Sequence, residues 1–515
     1  MMYLIHQENK VLRILDSSFK VIDFETKPTI TDALFELAKS FPQELLIWCH
    51  ESYVDKINIS QIANIFHHKG IMASYSVSGK NYIPKAIGYV DQSIYLKVNR
   101  EVCYPTWLMS SDIGGMHAEL LNVVFNNFKR HSNFNFFINA LAKKAMPQGL
   151  FCYSEPSLLL NKTESVSHSQ ASTPELFLFV KNHYKWVWVY ILFWSFVIYL
   201  KQAPLISLLK TIFSKQEDLI LDFEKVVFRS NKKVIHQKTI DVVIPTMGRK
   251  KYLYDVLKDL SNQSILPKHV IIVEQNPDEN SVSELDYLTQ EPWPFNIKHK
   301  FIHQSGVCNA RNIAMNLVES EWAFFGDDDI RFDSGLIEKS FVKIEQLAVK
   351  SINATCLQIN ENQQYFKTTQ TPIFGSGTSI VKSELFKSIK FDLSFEHGYG
   401  EDSDFGMQIR NQGEDVVFAP EIIITHLKAP FGGYRFKHIK PWEIENTIPK
   451  PSPTVLLFNL RHLTKEQNQS YKLLLFIKFY KSQPIKNPFS YLANMKKRWK
   501  MSLVWAEKLK TKTSR

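Results

Sequence analysis

Apolar runs of strand length alternate with helical patterns between residues 240 and 430, and this alternation begins abruptly. Strands separated by helices are typical of βαβ units and of a mostly parallel sheet. The strands are predicted at Asp241–Thr246, His269–Val273 and Trp322–Phe325, and the helices between them at Leu253–Leu260 and Val307–Val318. The pattern therefore predicts an α/β domain whose ligands bind beyond the carboxyl ends of the strands.

The first 160 residues show a less regular α/β pattern. Leu45–Cys49 is typical of a buried strand and Ile59–Phe66 of a short helix. Residues 161–173 are polar and rich in Ser and Thr, which is the composition of a linker. We expect an accessory domain before this linker.

An unusually apolar stretch follows the linker, from Trp186 to Leu200, with one polar residue among fifteen. As a helix it would be about 22 Å long, short of the roughly 30 Å hydrocarbon core of a bilayer. Lysines flank it on both sides, Pro204 limits it, and a second apolar run follows at 206–213. Packing in a core or at a membrane surface is favoured over a true span, and both readings stay open.

Charge changes this picture mainly at the C-terminal end. Residues 461–515 contain fourteen Lys and Arg and two Glu, so that this tail alone accounts for the net charge of +11. Apolar and aromatic residues lie among these charges at 471–480 and 495–505, which favours an anionic membrane surface as partner. A helix packed on the rest of the protein, with its lysines in water, is the alternative. No nucleic-acid motif accompanies the charge.

Five scattered cysteines show neither metal-ligand spacing nor a disulfide framework, which suits a reducing cytosol. The N-terminus does not have the pattern of a signal peptide. We therefore expect an intracellular protein.

Acidic residues supply the candidate chemistry. Asp327, Asp328 and Asp329 follow directly on the third predicted strand. Adjacent carboxylates repel one another, but oxygen ligands are what Mg²⁺ or Mn²⁺ require. A second acidic group, Glu401 and Asp402, lies in the segment GYGEDSDFG. A solvated loop and an acidic helix N-terminus are the ordinary explanations for these two groups.

The ordered set DVVIPTMGR, VIIVEQN, GVCNARN, FFGDDD and GYGEDSDFGMQIR, followed by a late His426, closely resembles glycosyltransferase family 2. The resemblance covers residues 238–435, and it implies a GT-A fold and a bacterial-type enzyme. It also implies that Gly432–Arg435 is a segment that closes over the donor. The glutamine of the motif found in processive synthases is absent before Arg498 and Trp499, and no multi-span region accompanies it. Transfer of a single sugar is therefore expected.

The resemblance also implies roles for individual residues. The donor nucleotide-diphospho-sugar would contact one set of residues, namely Pro245, Thr246, Arg249, Glu274, Arg311, Asp327, Asp328 and Gly377. Glu274 stands where the family more often has an aspartate, which leaves the base preference open. Mg²⁺ or Mn²⁺ would be held by Asp327, Asp329 and His426. Asp402 would be the general base, with Glu401 orienting the base or acceptor and Asp404 as an alternative base.

Four segments are expected: an accessory α/β domain at 1–160 that resembles a degenerate GT-A domain, a linker and apolar segment at 161–236, the GT-A domain at 237–445 and a basic helical tail at 446–515. The expected function is metal-dependent, inverting transfer to a lipid-linked or surface-polysaccharide precursor. It would take place at the cytoplasmic face of the membrane. A non-catalytic sugar-nucleotide-binding or scaffold protein and a retaining transferase are the alternatives.

Overall fold

The computed structural model describes residues 1–23, 29–125, 133–160, 166, 169–214, 221–223, 225–431 and 438–512. The chain forms two compact units. Unit 1 comprises Met1–Lys232 together with Leu463–Lys472, and unit 2 comprises Lys233–His462 together with Leu473–Arg515. These limits differ from the four expected segments, because 161–232 and part of the tail belong to unit 1. Most of the polar stretch 161–173 lies outside the described residues.

Unit 1 is an α/β unit built on a seven-stranded mixed sheet with the order β2-β1-β3-β6-β4-β7-β5. Its strands are β1 (Met2–Gln7), β2 (Lys10–Leu15), β3 (Leu45–His50), β4 (Ile71–Tyr75), β5 (Tyr104–Pro105), β6 (Ile113–His117) and β7 (Phe151–Ser154). Its helices are α1 (Ile30–Ser40), α2 (Ile59–Ile65), α3 (Ala118–Phe125), α4 (Phe134–Ala145), α5 (Thr173–His183), α6 (Val187–Ser195) and α7 (Leu205–Phe213).

Unit 2 contains a nine-stranded sheet with the order β10-β9-β8-β11-β15-β13-β16-β12, and β14 pairs with β16. Its strands are β8 (Ile240–Thr246), β9 (His269–Gln275), β10 (Asn296–Ile302), β11 (Trp322–Gly326), β12 (Ile330–Phe332), β13 (Ser351–Gln358), β14 (Thr369–Gln370), β15 (Thr378–Lys382) and β16 (Val417–His426). The helices are α8 (Lys250–Ser261), α9 (Tyr287–Gln290), α10 (Val307–Met315), α11 (Leu336–Leu347), α12 (Glu401–Asn411), α13 (Pro453–His462) and α15 (Pro488–Lys512). Helix α14 (Lys465–Tyr480) begins in unit 1 and ends in unit 2.

The predicted βαβ rhythm is confirmed at β8, α8, β9, α10 and β11. Strands β10, β9, β8 and β11 run parallel, and β15 is antiparallel to β11. The helix predicted at 307–318 ends at Met315, where Asn316 and the turn at Leu317 close it. Buried side chains on one face of the sheet, including Val243, Ile271 and Phe325, pack with α10 and α12 in the core that fixes the strands.

The apolar stretch from Trp186 forms α6 and one π-helical segment, Phe196–Leu200. Lys201 then has a φ of 58°, which ends the helix. Among the described residues, no helix is both long and apolar enough to cross a membrane.

Candidate active site

The carboxyl ends of three parallel strands form one edge of the unit 2 sheet. Thr246 at the end of β8 lies opposite Glu274 on β9 in the strand register. The end of β11 is next to β8, and Asp327 follows it directly. The polar clusters that end the predicted strands are therefore brought to one edge, as parallel strands require.

Asp327 lies against the start of β15. Because β11 and β15 are antiparallel with Gly326 opposite Thr378, residue 377 sits beside Asp327. A Cβ atom added to Gly377 would lie 2.2 Å from Asp327 Oδ2. A side chain at this position would displace the Asp327 carboxylate. On its other side, Asp327 Oδ1 accepts a hydrogen bond of 3.2 Å from Arg311 Nη2.

Asp328 points back into the protein, toward the turn after β8. Thr246 Oγ1 donates to its Oδ2 at 2.7 Å, and Arg249 Nη1 donates to its Oδ1 at 2.6 Å. Burial raises the pKa of Asp328 to about 6, although the nearby Arg249 guanidinium opposes the shift. Both oxygens of Asp328 thus hold the β8 turn, and Arg249 also reaches Asp329 Oδ2 at 3.3 Å.

Asp329 and His426 meet because β12 and β16 pair in antiparallel register, with Ile330 opposite His426. His426 Nε2 lies 3.2 Å from Asp329 Oδ1. The other oxygen, Oδ2, accepts a hydrogen bond of 2.8 Å from the backbone N–H of Ala429. Burial opposes ionisation of Asp329, yet contacts with His426 and Ala429 lower the pKa of this carboxyl. The contact with Asp329, assisted by Cys356, raises the pKa of His426 to about 10.

These residues have the donor atoms of a divalent cation site. Among the described residues, one group of three metal-ligating side chains occurs, Asp327, Asp329 and His426, whose ligand atoms lie within 4.8 Å of one another. Asp329 Oδ1 is buried and accepts no hydrogen bond of normal geometry. A buried anionic oxygen in this state is costly unless a cation faces it, which is either the protonated His426 or a divalent metal ion. Two carboxylates and one imidazole fit Mg²⁺ or Mn²⁺, and such binding competes with the proton on His426.

Asp402 stands apart from this group, in the first turn of α12. Ser376 Oγ donates a short hydrogen bond to Asp402 Oδ1, and Arg311 Nη1 lies 4.0 Å from the same oxygen. Burial raises the pKa of Asp402 to about 6, Arg311 opposes the rise, and the adjacent Glu401 adds to it. The carboxylate is therefore a stronger base than an ordinary aspartate.

Asp404, the alternative base, is turned into the protein. His462 Nε2 lies 2.7 Å from its Oδ1, and Gln408 Nε2 donates to its Oδ2 at 2.8 Å. Since both oxygens of the buried Asp404 are held by helical neighbours, it ties α12 to the end of α13. The geometry favours Asp402 for the chemistry.

Glu274 is also held in place. Ser283 Oγ donates to its Oε2 at 2.5 Å, and His299 Nε2 lies 2.9 Å from the same oxygen. Pro245 is buried in β8 opposite Val273. Both residues lie at the sheet edge, while the segment Gly432–Arg435 falls outside the described residues.

Two further residues shape this site in roles that the sequence did not indicate. Ser376 orients Asp402, and its position between two glycines was the available signal. Glu396 accepts hydrogen bonds from the N–H groups of Cys308 and Asn309 at 3.0 and 2.9 Å. It thereby caps α10, the helix that carries Arg311. Nothing in its local sequence indicated this contact.

The family comparison covers this domain. Residues 241–407 match the sequence model of the family described as glycosyl transferase family 2. No curated protein sequence matches the chain.

Solved structures with some similarity include TarS of S. aureus in complex with UDP-GlcNAc, at 16% identity, 52% of this chain, 79% of that chain and a TM-score of 0.36. They also include the mannosyltransferase PcManGT of Pyrobaculum calidifontis with GDP-Man and Mn²⁺, at 13% identity, 53% of this chain, 74% of that chain and a TM-score of 0.30. A third is GalNAc-T7 with UDP, GalNAc and Mn²⁺, at 11% identity, 39% of this chain, 48% of that chain and a TM-score of 0.31.

The family match and the α/β domain that carries it place the chain among the glycosyltransferases, which move a sugar from a donor to an acceptor. Within that class, residues 241–407 resemble glycosyltransferase family 2, with a GT-A domain in unit 2 and a helical C-terminal region. The resemblance drawn from the sequence motifs is confirmed.

Proposed function

We propose that this protein transfers a single sugar, with inversion, from a nucleotide-diphospho-sugar to a hydroxyl of a lipid-linked or surface-polysaccharide precursor. The reaction depends on Mg²⁺ or Mn²⁺ and uses Asp402 as general base. One observation carries the proposal: the Arg311 guanidinium contacts Asp327 of the metal-ligating group with one nitrogen and approaches Asp402 with the other. The base and the cation site thus lie on either side of one side chain.

Asp402 performs the proton transfer in this scheme. It takes the proton from the acceptor hydroxyl while the acceptor oxygen bonds to the anomeric carbon, and the bond from that carbon to the diphosphate oxygen breaks. Attack from the side opposite the leaving group inverts the anomeric centre. Ser376 holds the carboxylate in orientation, and Glu401 lies next to it in the same helical turn.

Asp327, Asp329 and His426 are the proposed metal ligands. A divalent cation held there would neutralise the charge that develops on the departing diphosphate. Arg311 presents a fixed guanidinium beside the same carboxylate, which suits contact with phosphate oxygens. Its position is fixed by α10 and by stacking on Phe391, at 5.3 Å from the ring centroid.

The remaining donor contacts are assigned to the sheet edge. Pro245, Thr246 and Glu274 line the ends of β8 and β9, where the base and ribose would lie. Asp328 acts through Arg249 and Thr246, to which it is bonded, and the backbone at Gly377 approaches the donor sugar beside Asp327.

The acceptor and the location follow from the basic tail. Fourteen Lys and Arg in residues 461–515 favour work at the cytoplasmic face of an anionic membrane, where a lipid-linked acceptor would be found. Unit 1 is proposed to bind the acceptor or a partner.

Calorimetry against UDP-, GDP- and dTDP-sugars, with and without Mn²⁺, tests the donor site. We expect one donor to bind in a metal-dependent way, and Asp329→Ala to reduce its affinity about tenfold or more, since it removes a buried ligand. Asp402→Asn is the matched control, because it should retain donor binding while transfer falls about 10²–10⁴-fold. Failure of every donor to bind the folded protein in the presence of metal would overturn the proposal.

A further inference from the structure

A large apolar surface in unit 1 is left exposed by two of its helices. We call it the α6–α7 face. Trp186, Tyr190, Trp194 and Ile198 contribute from α6 and its π-helical end, and Leu205, Ile206, Leu209, Ile212 and Phe213 contribute from α7. Exposed apolar patches of this extent mark an interaction surface in a soluble protein.

Helix α6 is apolar on both sides. Four exposed residues recur every four positions, at 186, 190, 194 and 198, and form one stripe along the helix, and Val187 and Leu200 are exposed as well. Val189, Leu192, Phe193 and Phe196 are buried on the opposite side. A helix with water on one side normally carries polar residues there, so this composition indicates a second apolar environment.

Helix α7 shows the same property more strongly, because it buries polar side chains and exposes apolar ones, an arrangement we call inverted polarity. Its buried residues are Ser207 and Thr211, which are 6% and 3% exposed. Phe213 and Ile206 are 85% and 71% exposed. Burying hydroxyls while exposing aromatic and aliphatic side chains is unfavourable in water by the ordinary hydrophobic effect. The arrangement becomes favourable once the outer side is in an apolar medium.

The inner side of the face is firmly attached to unit 1. Tyr199 Oη donates to the carbonyl of Gln469 at 3.0 Å, and its ring stacks on Tyr89 at 5.5 Å. Lys181 Nζ on α5 donates to the carbonyls of Thr211 and Ile212 at the end of α7, at 2.7 and 2.9 Å. The apolar side chains are therefore presented by anchored helices.

The charge of the chain segment that forms the face indicates what binds there. From residue 176 to 214 the chain has four lysines and no Asp or Glu. Lys185, Lys201 and Lys210 are exposed at the margins of the face. A second copy of the chain would bring like charges together, whereas anionic lipid headgroups complement lysines beside an apolar surface.

The geometry indicates insertion of the two helices parallel to the membrane surface. None of the helices in the described ranges is long and apolar enough to cross a bilayer. The positive φ of Lys201 and the following Pro204 separate the two short helices. Tryptophan and tyrosine prefer the boundary between headgroups and acyl chains, where Trp186, Tyr190 and Trp194 would then lie.

We propose that the α6–α7 face is a docking surface for an anionic lipid bilayer, with both helices lying in the headgroup–acyl boundary. This inference deepens the membrane association given under Proposed function and rests on it. It assigns that contact to unit 1, in addition to the basic tail from which the association was first inferred. A membrane-bound acceptor would then meet an enzyme that is already held at its surface.

Flotation of the full-length protein with vesicles tests the assignment. Vesicles of phosphatidylcholine alone are compared with vesicles containing phosphatidylglycerol. We expect binding to the anionic vesicles, and Ile206→Ser/Phe213→Ser should weaken it about tenfold or more, since two large apolar side chains lose their insertion. Both residues are exposed, so the fold should be retained.

Phe366→Ser is the matched control, because Phe366 is also largely exposed but lies in unit 2. It should bind vesicles like the wild type. Phe489→Ser probes the basic tail in the same assay, since Phe489 is exposed on α15. Loss of binding in Phe489→Ser with no change in Ile206→Ser/Phe213→Ser would overturn the assignment in favour of the tail.

Two measurements on the same samples separate the remaining outcomes. Sedimentation without lipid tests whether the face is an interface between two copies of the chain. The inference is overturned if the wild type self-associates, the double variant does not, and no vesicle binding is seen. Donor binding by calorimetry reports on the catalytic site alone. Vesicle binding without donor binding contradicts the proposed function and leaves the surface assignment standing. Donor binding without any vesicle binding contradicts the surface assignment.

Discussion

The carboxylates at the sheet edge differ in their hydrogen-bond partners, and each therefore has a different role. Asp328 has both oxygens bonded to Thr246 and Arg249, whereas Asp329 keeps one buried oxygen without a normal hydrogen bond. Adjacent acids in the sequence therefore differ in chemistry, because the strand end turns one inward to the protein and the next toward His426. Charge repulsion within the triplet is reduced accordingly.

The raised pKa of Asp402 predicts the acidic limb of the reaction. The base must be ionised, so the transfer rate should fall about tenfold per pH unit below about pH 6. Ser376→Ala removes a hydrogen bond that favours the ionised form, and this variant should move the limb toward higher pH. A pH profile of kcat checks both, with Ser388→Ala as control. An unchanged limb in Ser376→Ala would contradict the role given to this hydroxyl.

Gly377 is expected to tolerate no side chain. In Gly377→Ala the new methyl group would meet the Asp327 carboxylate, displace it and reduce metal-dependent kcat about 10²-fold, as misplacement of about 1 Å does elsewhere. Gly326→Ala is the matched control, because its added Cβ would have its nearest neighbour at 3.5 Å. Equal activity in the two variants would show that the Gly377 contact does not matter.

The buried Asp241 joins strands of unit 2 at the ends opposite the candidate active site. Asp241 at the start of β8 accepts hydrogen bonds from the N–H groups of Glu319 and Ser320, at 2.8 and 3.1 Å, and lies 3.0 Å from His269 Nδ1. It thus ties β8 to β9 and to the turn before β11. These contacts lower the pKa of Asp241 despite its burial.

Asp241→Asn should lower the free energy of unfolding by about 2–3 kcal/mol, because an amide group would face N–H donors in a buried position. Since the folded-state pKa of Asp241 is lowered, its stabilising effect is present above the unfolded-state pKa, about 4, and is lost as the pH falls through the folded-state pKa. Urea unfolding at several pH values measures this. The exposed Asp286→Asn is the control, and a difference independent of pH would contradict the account.

At the scale of the whole molecule, the chain returns to its N-terminal unit after completing the GT-A domain. Leu463–Lys472 belongs to unit 1. Within it the buried Gln467 donates through Nε2 to the carbonyls of Asp91 and Ser93, at 3.0 and 2.7 Å. Ser470 Oγ donates to the carbonyl of Tyr89. Residues distant in sequence therefore complete unit 1.

Gln467→Ala should destabilise unit 1 by about 2–3 kcal/mol, because the buried carbonyl of Asp91 and the partly buried carbonyl of Ser93 lose their donor. Hydrogen exchange of residues 87–96, the segment that receives these bonds, should become faster. Lys465→Ala, an exposed change two residues earlier on the same helix, should leave it unchanged. Unaltered exchange in Gln467→Ala would indicate that this segment does not support unit 1.

The alternation of strands and helices in unit 2, and the sheet edge at which its acidic residues lie, can be predicted from local sequence alone. Local periodicity and the rule for parallel strands are sufficient for both. Asp327, Asp329 and His426 were selected from motif order, and the structure brings their ligand atoms together. The metal and the catalytic roles of these residues stay predictions.

The contacts that make Asp327, Asp328 and Asp329 differ in chemistry come from residues distant in the sequence, so they are known only from the folded structure. The register of β15 places Gly377 against Asp327, and the pairing of β12 with β16 places His426 against Asp329. Local sequence does not encode such long-range register. For the same reason the sequence did not reveal that residues 463–472 belong to unit 1 or that α7 buries its polar side. A helical pattern shows which residues share a side, but only packing decides which side faces the protein.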